Sequence, residues 1–309
     1  MKAIYLERKG GAESLVSGEI QQPHPEENQV LVKVHATAIM PTEVQWTPTF
    51  QTPYGAARPF PIVLGHEFSG VIESVGGGVR EFSFGEEVYG LNDWHINGAQ
   101  AEYCVVSASA VARKPKSLTH ALAAVTPISA LTAWQGLFEK TNLQRGERVL
   151  IHGAAGGVGM FAVQLARWRG ARVIATASSG NLDFVRALGA DQVIDYRKNR
   201  FEDLICDVDV VFDPVGGETL ERSWRVLKPG ARVVTVATTS GQSSDQRVRD
   251  AFVIVRADGS QLAQIAWMID AGELRVFLEQ TFPLAQAREA YARAGQGQMR
   301  GKVVLSVIE

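Results

Sequence analysis

The chain has 309 residues, enough for two ordinary domains. Hydrophobic residues make up 46% of it and charged residues 21%, the balance of a soluble globular protein. A formal net charge of −2 argues against broad electrostatic attraction to nucleic acid or to a membrane surface. Because no run of about 18 apolar residues occurs, the sequence predicts no membrane-spanning helix.

The first residues, MKAIYLERKGG, lack the apolar stretch of a signal peptide and are typical of a first strand. The two cysteines, Cys104 and Cys206, lie far apart and make no disulfide framework. The sequence therefore predicts a cytoplasmic protein.

Residues 1–120 consist of short β-like runs that Gly and Pro interrupt. This spacing predicts an irregular, mostly β domain. The predicted strands include Val30–His35, Gly70–Val75, Glu87–Tyr89 and Ala101–Val106.

Strand-like and helix-like segments alternate in residues 121–270. Such alternation predicts βαβ units and an α/β fold with a doubly wound parallel sheet. Apolar strands such as RVLI (148–151) fit a sheet that is covered on both faces. We therefore predict a Rossmann domain at 121–270. Residues 1–120 and 271–309 are expected to form one β-rich domain, whose sheet the closing run GKVVLSVIE completes.

A glycine-rich turn lies within RVLIHGAAGGVGMFAVQLAR (148–167). A strand, a glycine turn and a helix in this order suit a dinucleotide pyrophosphate, because glycine backbone can approach the phosphates and the helix N-terminus presents free N–H groups. The G-x-G-x-x-G pattern is incomplete, with Ala at its first position, and a purely structural turn is the alternative. The residues predicted to bind the cofactor here are Ala155, Gly156, Gly157, Val158 and Gly159.

Several ordered segments resemble those of medium-chain dehydrogenases/reductases, in particular the zinc-free quinone oxidoreductase and enone reductase branch. They span essentially the whole chain: GHEFSGVIESVGGGVREFSFGEEVYG (65–90), AAVTPISALTAWQGL (123–137), GAAGGVGMFAVQLAR (153–167), ALGADQVIDY (187–196), VFDPVGGETL (211–220) and GKVVL (301–305). The resemblance implies a GroES-like catalytic domain, a Rossmann domain and a cofactor in the cleft between them.

The resemblance also bears on metal binding. Zinc-dependent relatives carry ligands at positions that correspond here to Met40, His66 and Ile128. A catalytic zinc ion needs three thiolate, imidazole or carboxylate ligands, so no metal is predicted. His66 is then expected to be a turn residue whose ring bonds nearby backbone, or else a residue that lines the substrate cleft.

The sequence has no acidic residue at the position that decides between NAD and NADP. Rossmann folds that prefer NAD place Asp or Glu about 20 residues past the glycines, where it bonds the ribose 2′-OH. Hydroxyl and N–H groups can bond a 2′-phosphate that a carboxylate would repel, so the sequence predicts NADPH. The residues expected around the adenosine phosphate are Ser178, Ser179, Asn181 and, by the resemblance, Tyr196. Positive side chains just beyond either add to this site or form a solvated loop: Arg197, Lys198 and Arg200.

By the same resemblance, further residues lie near the nicotinamide ring. Thr132 is the most specific of them, although a buried threonine on a helix can equally bond the carbonyl group four residues earlier. The others are Val158, Ser240, Gly241, Phe252, Val253 with the run to Val255, and Lys302.

The predicted chemistry follows from the predicted lack of a metal. Interconversion of a plain alcohol and ketone would lack a Lewis acid. An enone or quinone can be reduced without a Lewis acid. Hydride adds to the β-carbon, and the negative charge reaches a conjugated oxygen that hydrogen-bond donors can stabilise. The prediction is therefore NADPH-dependent reduction of the activated C=C bond of α,β-unsaturated carbonyls or quinones.

Met40–Glu43 departs from the tyrosine or N-P-x-D pattern of relatives, so the resemblance does not assign the proton donor. The candidates are Tyr54 first, then Thr42 and His95. Aromatic residues around Tyr54 either wall an apolar pocket or cover the core of their own domain: Trp46, Phe50 and Phe60.

Two other functions stay open. A dinucleotide-binding module without catalysis would explain the departure at Met40–Glu43, and a zinc-type alcohol dehydrogenase is the third reading. The expected partner is a small-molecule enone or quinone, with no nucleic acid and no membrane. The apolar run ARVVTVA (231–237) either joins two chains into a homodimer, as in relatives, or is an interior strand.

Overall fold

A computed structural model describes residues 1–297 and 299–308, without the side chain of Thr238. Its strands are β1 (Lys2–Leu6), β2 (Leu15–Glu19), β3 (Gln29–Ala38), β4 (Ile62–Val63), β5 (Glu67–Val75), β6 (Glu87–Leu91), β7 (Tyr103–Ser107), β8 (Val111–Arg113), β9 (Arg148–Ile151), β10 (Arg172–Ala177), β11 (Gln192–Asp195), β12 (Val208–Asp213), β13 (Leu227–Thr235), β14 (Leu278–Pro283) and β15 (Lys302–Ser306).

Its α-helices are α1 (His120–Ala124), α2 (Pro127–Trp134), α3 (Gly157–Trp168), α4 (Leu182–Ala187), α5 (Gly217–Ser223), α6 (Gln246–Ala251), α7 (Gly259–Asp270) and α8 (Ala287–Gly295). A π-helical stretch, Gln135–Lys140, continues α2. Short 3₁₀ turns lie at Ala12–Ser14, Glu43–Gln45, Thr47–Phe50, Ala108–Ala110, Ser179–Asn181, Phe201–Asp203, Trp224–Val226, Thr238–Gln242 and Leu284–Gln286.

The chain forms two compact units. The first consists of Met1–Ile128 and Ala257–Glu309, and the second of Ser129–Arg256. Helix α7 belongs to the first unit, where a Cβ at Gly259 would meet the backbone of Val111 in β8. The domain limits at 120 and 270, drawn from the sequence texture, stay a prediction.

The first unit is GroES-like and contains a seven-stranded sheet in the order β14-β15-β3-β5-β6-β8, with β7 paired to β3. Successive side chains of a strand point to opposite faces, so every second residue of β3 faces the same side. Val30, Val32 and Val34 pack there with Phe68 and Ile72 of β5 in a buried core. A smaller sheet has the order β2-β1-β4.

The strand near the end of the chain joins this larger sheet. In the antiparallel pairing of β15 with β3, Val304 lies opposite Ala38. On its other side β15 runs parallel to β14. This confirms the prediction that the run GKVVL completes the sheet of the first unit.

The second unit contains a five-stranded parallel sheet in the order β11-β10-β9-β12-β13. Parallel neighbours need crossover connections, and α3, α4 and α5 each lie between two of these strands in the sequence. Val149, Leu150 and Ile151 of β9 are fully buried, as a sheet covered on both faces requires. The predicted Rossmann-type parallel sheet is thus confirmed.

Strand β13 is the last in this order, and a parallel bridge from Thr235 to Phe252 lies beyond it. The run ARVVTVA therefore contributes the strand next to that bridge. The homodimer stays a prediction.

Candidate functional site

The strand order of the second unit reverses between β9 and β12. Connections that leave two neighbouring strands in opposite directions open a crevice at their carboxyl ends, and ligands of open α/β sheets bind there. The glycine-rich turn follows β9 directly, and the loop after β12 begins just past Asp213, the last residue of that strand. These two loops form the centre of the candidate site.

Two glycines shape the turn between β9 and α3. Gly153 has a φ of +54°, in the left-handed region that favours glycine. A Cβ at Gly159 would collide with the carbonyl oxygen of Gly153 and lie 2.8 Å from the Cα of Ala154. The missing side chain of Gly159 therefore lets the helix begin close against the strand, as dinucleotide-binding folds require.

Helix α3 begins with backbone donors that its own turns cannot satisfy. The N-cap residue is Gly156, which has no side chain to accept them, and the N–H of Met160 bonds the Gly156 carbonyl oxygen at 3.0 Å. The N–H groups of Gly157, Val158 and Gly159 come before that bond and have no acceptor one turn earlier. Together with the positive end of the helix dipole, they fit the pyrophosphate of a dinucleotide. Ala155 is buried within the same turn.

The residues expected around the adenosine phosphate follow β10. The Nδ2 atom of Asn181 donates to the Oγ of Ser178 at 3.2 Å. The hydroxyl of Ser179 donates to Oδ2 of Asp195 at 2.6 Å. Asp195 is the last residue of β11 and lies opposite Ala177 in the parallel pairing. A carboxylate therefore lies beside the serines, although the segment after β10 carries no acid there.

Tyr196 and the positive residues follow directly. The N–H of Tyr196 donates to the carbonyl oxygen of Ala177 at 3.2 Å, whereas its side chain is 52% exposed. Two of the cations face acids: Lys198 lies 3.9 Å from Asp195, and Arg200 lies 2.9 Å from Glu202.

A buried polar network lies at the carboxyl ends of β12 and β13. The carboxylate of Asp213 accepts hydrogen bonds from Thr235 Oγ1 at 2.9 Å and from the N–H groups of Val215 and Gly216. Burial raises the pKa of Asp213, and these three hydrogen bonds oppose that rise. Ser240 is also buried, with its Oγ 3.3 Å from the Oγ1 of Thr235.

The loop after β13 packs against the segment that follows α6. The N–H of Val253 donates to the Thr235 carbonyl oxygen at 3.0 Å, and Phe252 bridges to the same strand. A Cβ at Gly241 would lie 2.6 Å from the ring of Phe252, so glycine is needed for this packing. The structure thus brings Ser240, Gly241, Phe252 and Val253 together.

Gln135 anchors this segment, and the sequence analysis missed it. Its Nε2 donates to the carbonyl oxygen of Arg256 at 2.9 Å, and its Oε1 accepts the Arg256 N–H at 3.1 Å. Glu139, in the same π-helical stretch, pairs with the Arg256 guanidinium at 2.8 Å. The one signal in the sequence was a polar residue within the apolar run around Thr132, which is itself buried on α2.

Lys302, expected near the cofactor, belongs to the first unit. Its ammonium group pairs with the carboxylate of Glu67, which also accepts the N–H of Ile128 at 2.9 Å. Burial raises the pKa of Glu67, and the charge of Lys302 opposes that rise. The structure therefore gives Lys302 an ion pair within the first unit, and its place near the cofactor stays a prediction.

His66 is buried against an acid. Its Nδ1 pairs with the carboxylate of Glu43, whose same oxygen accepts the N–H of Gly65 at 2.9 Å, and its Nε2 lies 3.3 Å from the Ile96 carbonyl oxygen. The expected bond to backbone is confirmed for Nε2 alone. Glu43 is 23 residues away, and nothing in the sequence linked the two side chains.

The three positions that hold zinc ligands in zinc-dependent relatives do not fit a zinc ion here. Met40 and Ile128 carry none of the side chains that zinc takes, and the His66 ring faces Glu43. Within the described ranges, no group of three or more His, Cys, Asp or Glu residues is placed to hold a metal ion.

The three candidate proton donors lie in loops of the first unit. Tyr54 is 96% exposed, and Thr42 is exposed as well. His95 is partly buried, with its Nδ1 2.8 Å from the Gln51 carbonyl oxygen and its backbone N–H bonded to Asp93 Oδ1 at 2.8 Å. Because a carbonyl group only accepts, Nδ1 carries the proton of that bond. Of the three side chains, His95 is thus the one that the fold orients.

The aromatic residues near Tyr54 in the sequence make different ring contacts. Phe50 belongs to a buried core cluster, and the Phe60 ring lies 6.4 Å from it. Trp46 packs edge-on against Trp94 at 4.8 Å, and Trp94 lies 5.1 Å from the ring of His66. Phe50 therefore belongs to the core of its own unit, and an apolar pocket wall formed by Trp46 or Phe60 stays a prediction.

Together, these features define a class of protein, in which a Rossmann-like unit and a GroES-like unit occur in one chain. Residues 26–116 match the family described as alcohol dehydrogenase GroES-like domain. Residues 188–305 match the family described as zinc-binding dehydrogenase.

Comparison with known proteins makes the family specific. The human protein named NAD(P)H oxidoreductase RTN4IP1, mitochondrial, is 35% identical over 91% of this chain and 82% of its own length. The NADPH-dependent alkenal/one oxidoreductase, chloroplastic, of Arabidopsis thaliana is 33% identical over 99% of this chain and 79% of its own. The quinone oxidoreductase structure from Coxiella burnetii is 30% identical with a TM-score of 0.90, covering 100% and 99% of the two chains. The chain belongs to the medium-chain dehydrogenase/reductase superfamily.

Two of these relatives carry an organelle in their names, and a cytoplasmic location for this chain stays a prediction. In the part of the chain that the structure describes, no helix is long and apolar enough to cross a membrane.

Proposed function

We propose that the chain is an NADPH-dependent reductase of the activated C=C bond of α,β-unsaturated carbonyls or of quinones, and that it works without zinc. The observation that carries the proposal is the glycine-rich turn from Gly153 to Gly159, which lies where the strand order of the parallel sheet reverses. The names of the Arabidopsis alkenal/one oxidoreductase and of the tomato 2-methylene-furan-3-one reductase, 33% identical over 100% of this chain, support the substrate class.

The residues of the second unit would hold NADPH, which supplies a hydride from its nicotinamide ring when bound. The free N–H groups at the start of α3 suit the pyrophosphate. The assignment covers Ala155, Gly156, Gly157, Val158 and Gly159 for the pyrophosphate, Ser178, Ser179, Asn181 and Tyr196 for the adenosine end, and Thr132, Ser240, Gly241, Phe252 and Val253 for the nicotinamide end. Lys302, which pairs with Glu67 in the first unit, is the further residue proposed for the cofactor.

The residues at the three zinc positions favour a conjugated substrate over a plain ketone. Met40 and Ile128 leave the zinc positions without donor side chains, so the oxygen of a plain ketone would have no Lewis acid to take its developing charge. In an enone or quinone, conjugation spreads this charge, and hydrogen-bond donors are enough to stabilise it.

A proton must then reach the reduced product. We assign this step to His95 ahead of Tyr54 and Thr42, because the Gln51 carbonyl accepts the Nδ1–H and fixes the ring. In the imidazolium form Nε2 also carries a proton, which it would give to the enolate, and water would then return a proton to Nε2. The fully exposed Tyr54 has no comparable support from the fold.

The test is oxidation of NADPH and NADH, followed at 340 nm, with a quinone, a linear enal, a cyclic enone and a simple ketone. One protein sample is treated with chelator first. Turnover of the quinone or enones with NADPH, unchanged by chelator, is the expected result. Turnover of the ketone alone, lost after chelation, would contradict the proposal and favour a zinc enzyme.

A second candidate, dinucleotide binding without catalysis, is favoured by the exposure of Tyr54 and by the departure at Met40–Glu43. It predicts tight NADPH binding by fluorescence with no turnover of any of the four compounds.

A further inference from the structure

The carboxylate of Asp195 lies beside the residues assigned to the adenosine end of the cofactor. Strands β10 and β11 run parallel, with Ala177 opposite Asp195 at their carboxyl ends. The chain leaves β10 through Ser178 and Ser179, so these serines and Asp195 occupy the same edge of the sheet. The side chain of Asp195 therefore lies within reach of Ser179, which is 16 residues away in the sequence.

Asp195 is a firmly held anion. Its Oδ2 accepts the Ser179 hydroxyl at 2.6 Å, and its Oδ1 accepts the N–H of Arg197 at 3.1 Å. The residue is only 6% exposed. The bond from Ser179 and the bond from the Arg197 N–H hold the pKa of this carboxyl below its usual value, so it is ionised at neutral pH.

These contacts decide what Ser179 can offer a ligand. Its one proton goes to Asp195, so the Ser179 oxygen is left as an acceptor. A ribose 2′-OH can donate to that oxygen. A 2′-phosphate presents only acceptors and negative charge, and it would be repelled by the neighbouring carboxylate.

The positive residues nearby offset this repulsion only in part. Lys198 lies 3.9 Å from Asp195 itself, and Arg200 is paired with Glu202. The Arg197 side chain is exposed, where salt screens its attraction for a phosphate.

We propose that Asp195, acting through Ser179, is a specificity-determining residue that narrows the preference for NADPH and lets the chain accept NADH as well. The inference rests on the proposed function, because it assumes that the glycine turn holds a nicotinamide dinucleotide.

The test compares binding of NADP⁺ and NAD⁺, which differ only in the 2′-phosphate, by calorimetry on the full chain at fixed low salt. Asp195→Asn keeps the shape of the side chain and removes its charge. We expect the affinity for NADP⁺ to rise about tenfold, the scale of a like-charge contact near a protein surface, with the affinity for NAD⁺ unchanged or lower. Asp203→Asn, which removes an exposed charge a few residues on, is the matched control and should leave the ratio of affinities unchanged.

If both affinities change equally, or neither changes, the ratio of the NADP⁺ and NAD⁺ affinities stays that of the wild type. This result would overturn the inference and leave Asp195 as a structural residue. If Asp195→Asn does not fold, Asp195→Ser removes the same charge and carries the same comparison. Wild-type protein that binds neither nucleotide would instead refute the proposed function itself, so the two failures are distinguishable.

Discussion

His95 and Tyr54 differ in how the fold holds their side chains. The His95 ring is fixed by the Gln51 carbonyl at 2.8 Å, whereas the phenol of Tyr54 is 96% exposed. A proton donor must keep its position relative to the group that it serves, and an oriented side chain meets that demand better than a freely rotating one.

His95→Gln is therefore expected to lower kcat with an enone by about a hundredfold, the usual range for loss of a general acid, with a smaller effect on KM. Tyr54→Phe serves as the paired variant and should leave kcat unchanged. Steady-state rates with solvent deuterium isotope effects measure both. A large loss in Tyr54→Phe together with normal turnover in His95→Gln would reverse the assignment.

Gly159 sets how closely α3 approaches β9. A Cβ there would collide with the Gly153 carbonyl oxygen, and backbone cannot give way as a flexible side chain can. We expect Gly159→Ala to lower the free energy of unfolding by about 1–3 kcal/mol, as overpacking does, and to weaken NADPH binding. Urea unfolding and calorimetry measure the two effects. Gly295→Ala, where a Cβ meets open space, is the control, and equal losses in both variants would refute this role.

At the scale of the elements, the π-helical stretch Gln135–Lys140 holds the segment that ends at Arg256. The Gln135 amide makes two hydrogen bonds to the Arg256 backbone from a buried position, while the Glu139–Arg256 ion pair is exposed. The buried contact should therefore matter more than the exposed one.

Gln135→Ala is expected to lower the free energy of unfolding by about 1–3 kcal/mol, because it removes the two hydrogen bonds that the buried Gln135 side chain makes to the Arg256 backbone. It should also speed proteolysis at residues 252–256. Glu139→Gln removes the exposed ion pair alone and should cost less than about 1 kcal/mol. The idea fails if Glu139→Gln is the more damaging change in urea unfolding.

Some of these elements could be predicted from the sequence, whereas the contacts between them could not. Local patterns were enough for the parallel sheet, the glycine turn and the closing strand β15, because apolar periodicity and glycine placement act within a few residues. Asp195 beside Ser179, Glu43 beside His66 and Gln135 on Arg256 depend on pairing and packing between distant segments. The alternation of polar and apolar residues along the chain does not indicate which distant side chains contact each other.

At the scale of the whole molecule, the buried His152 and the partly buried His120 make stability depend on pH. Burial and then the charge of Arg222 lower the pKa of His152 to about 3, and burial and then His35 lower that of His120 to about 4. His152 fits this neutral state, because Ser223 donates to the Thr219 carbonyl and so accepts from the His152 Nε2–H. The folded state therefore binds fewer protons than the unfolded state, whose histidines titrate near their ordinary value.

The free energy of unfolding should thus fall as the pH drops below about 6.5, and His152 should contribute up to about 1.4 kcal/mol per pH unit until its folded pKa is reached. Urea unfolding at several pH values between 6.5 and 4.5 measures this slope. His152→Gln should show a shallower slope over that range, and the comparison cancels the other groups. Parallel slopes for the two proteins would show that His152 is not the source.

The most direct test of the central claim follows the hydride itself. NADPH deuterated stereospecifically at C4 of the nicotinamide is incubated with the protein and a cyclic enone, and the product is examined by NMR. The account predicts deuterium on the β-carbon of a saturated ketone from one of the two C4 isotopomers. Deuterium on the carbonyl carbon of an allylic alcohol, or no labelled product from protein that binds NADPH, would contradict it.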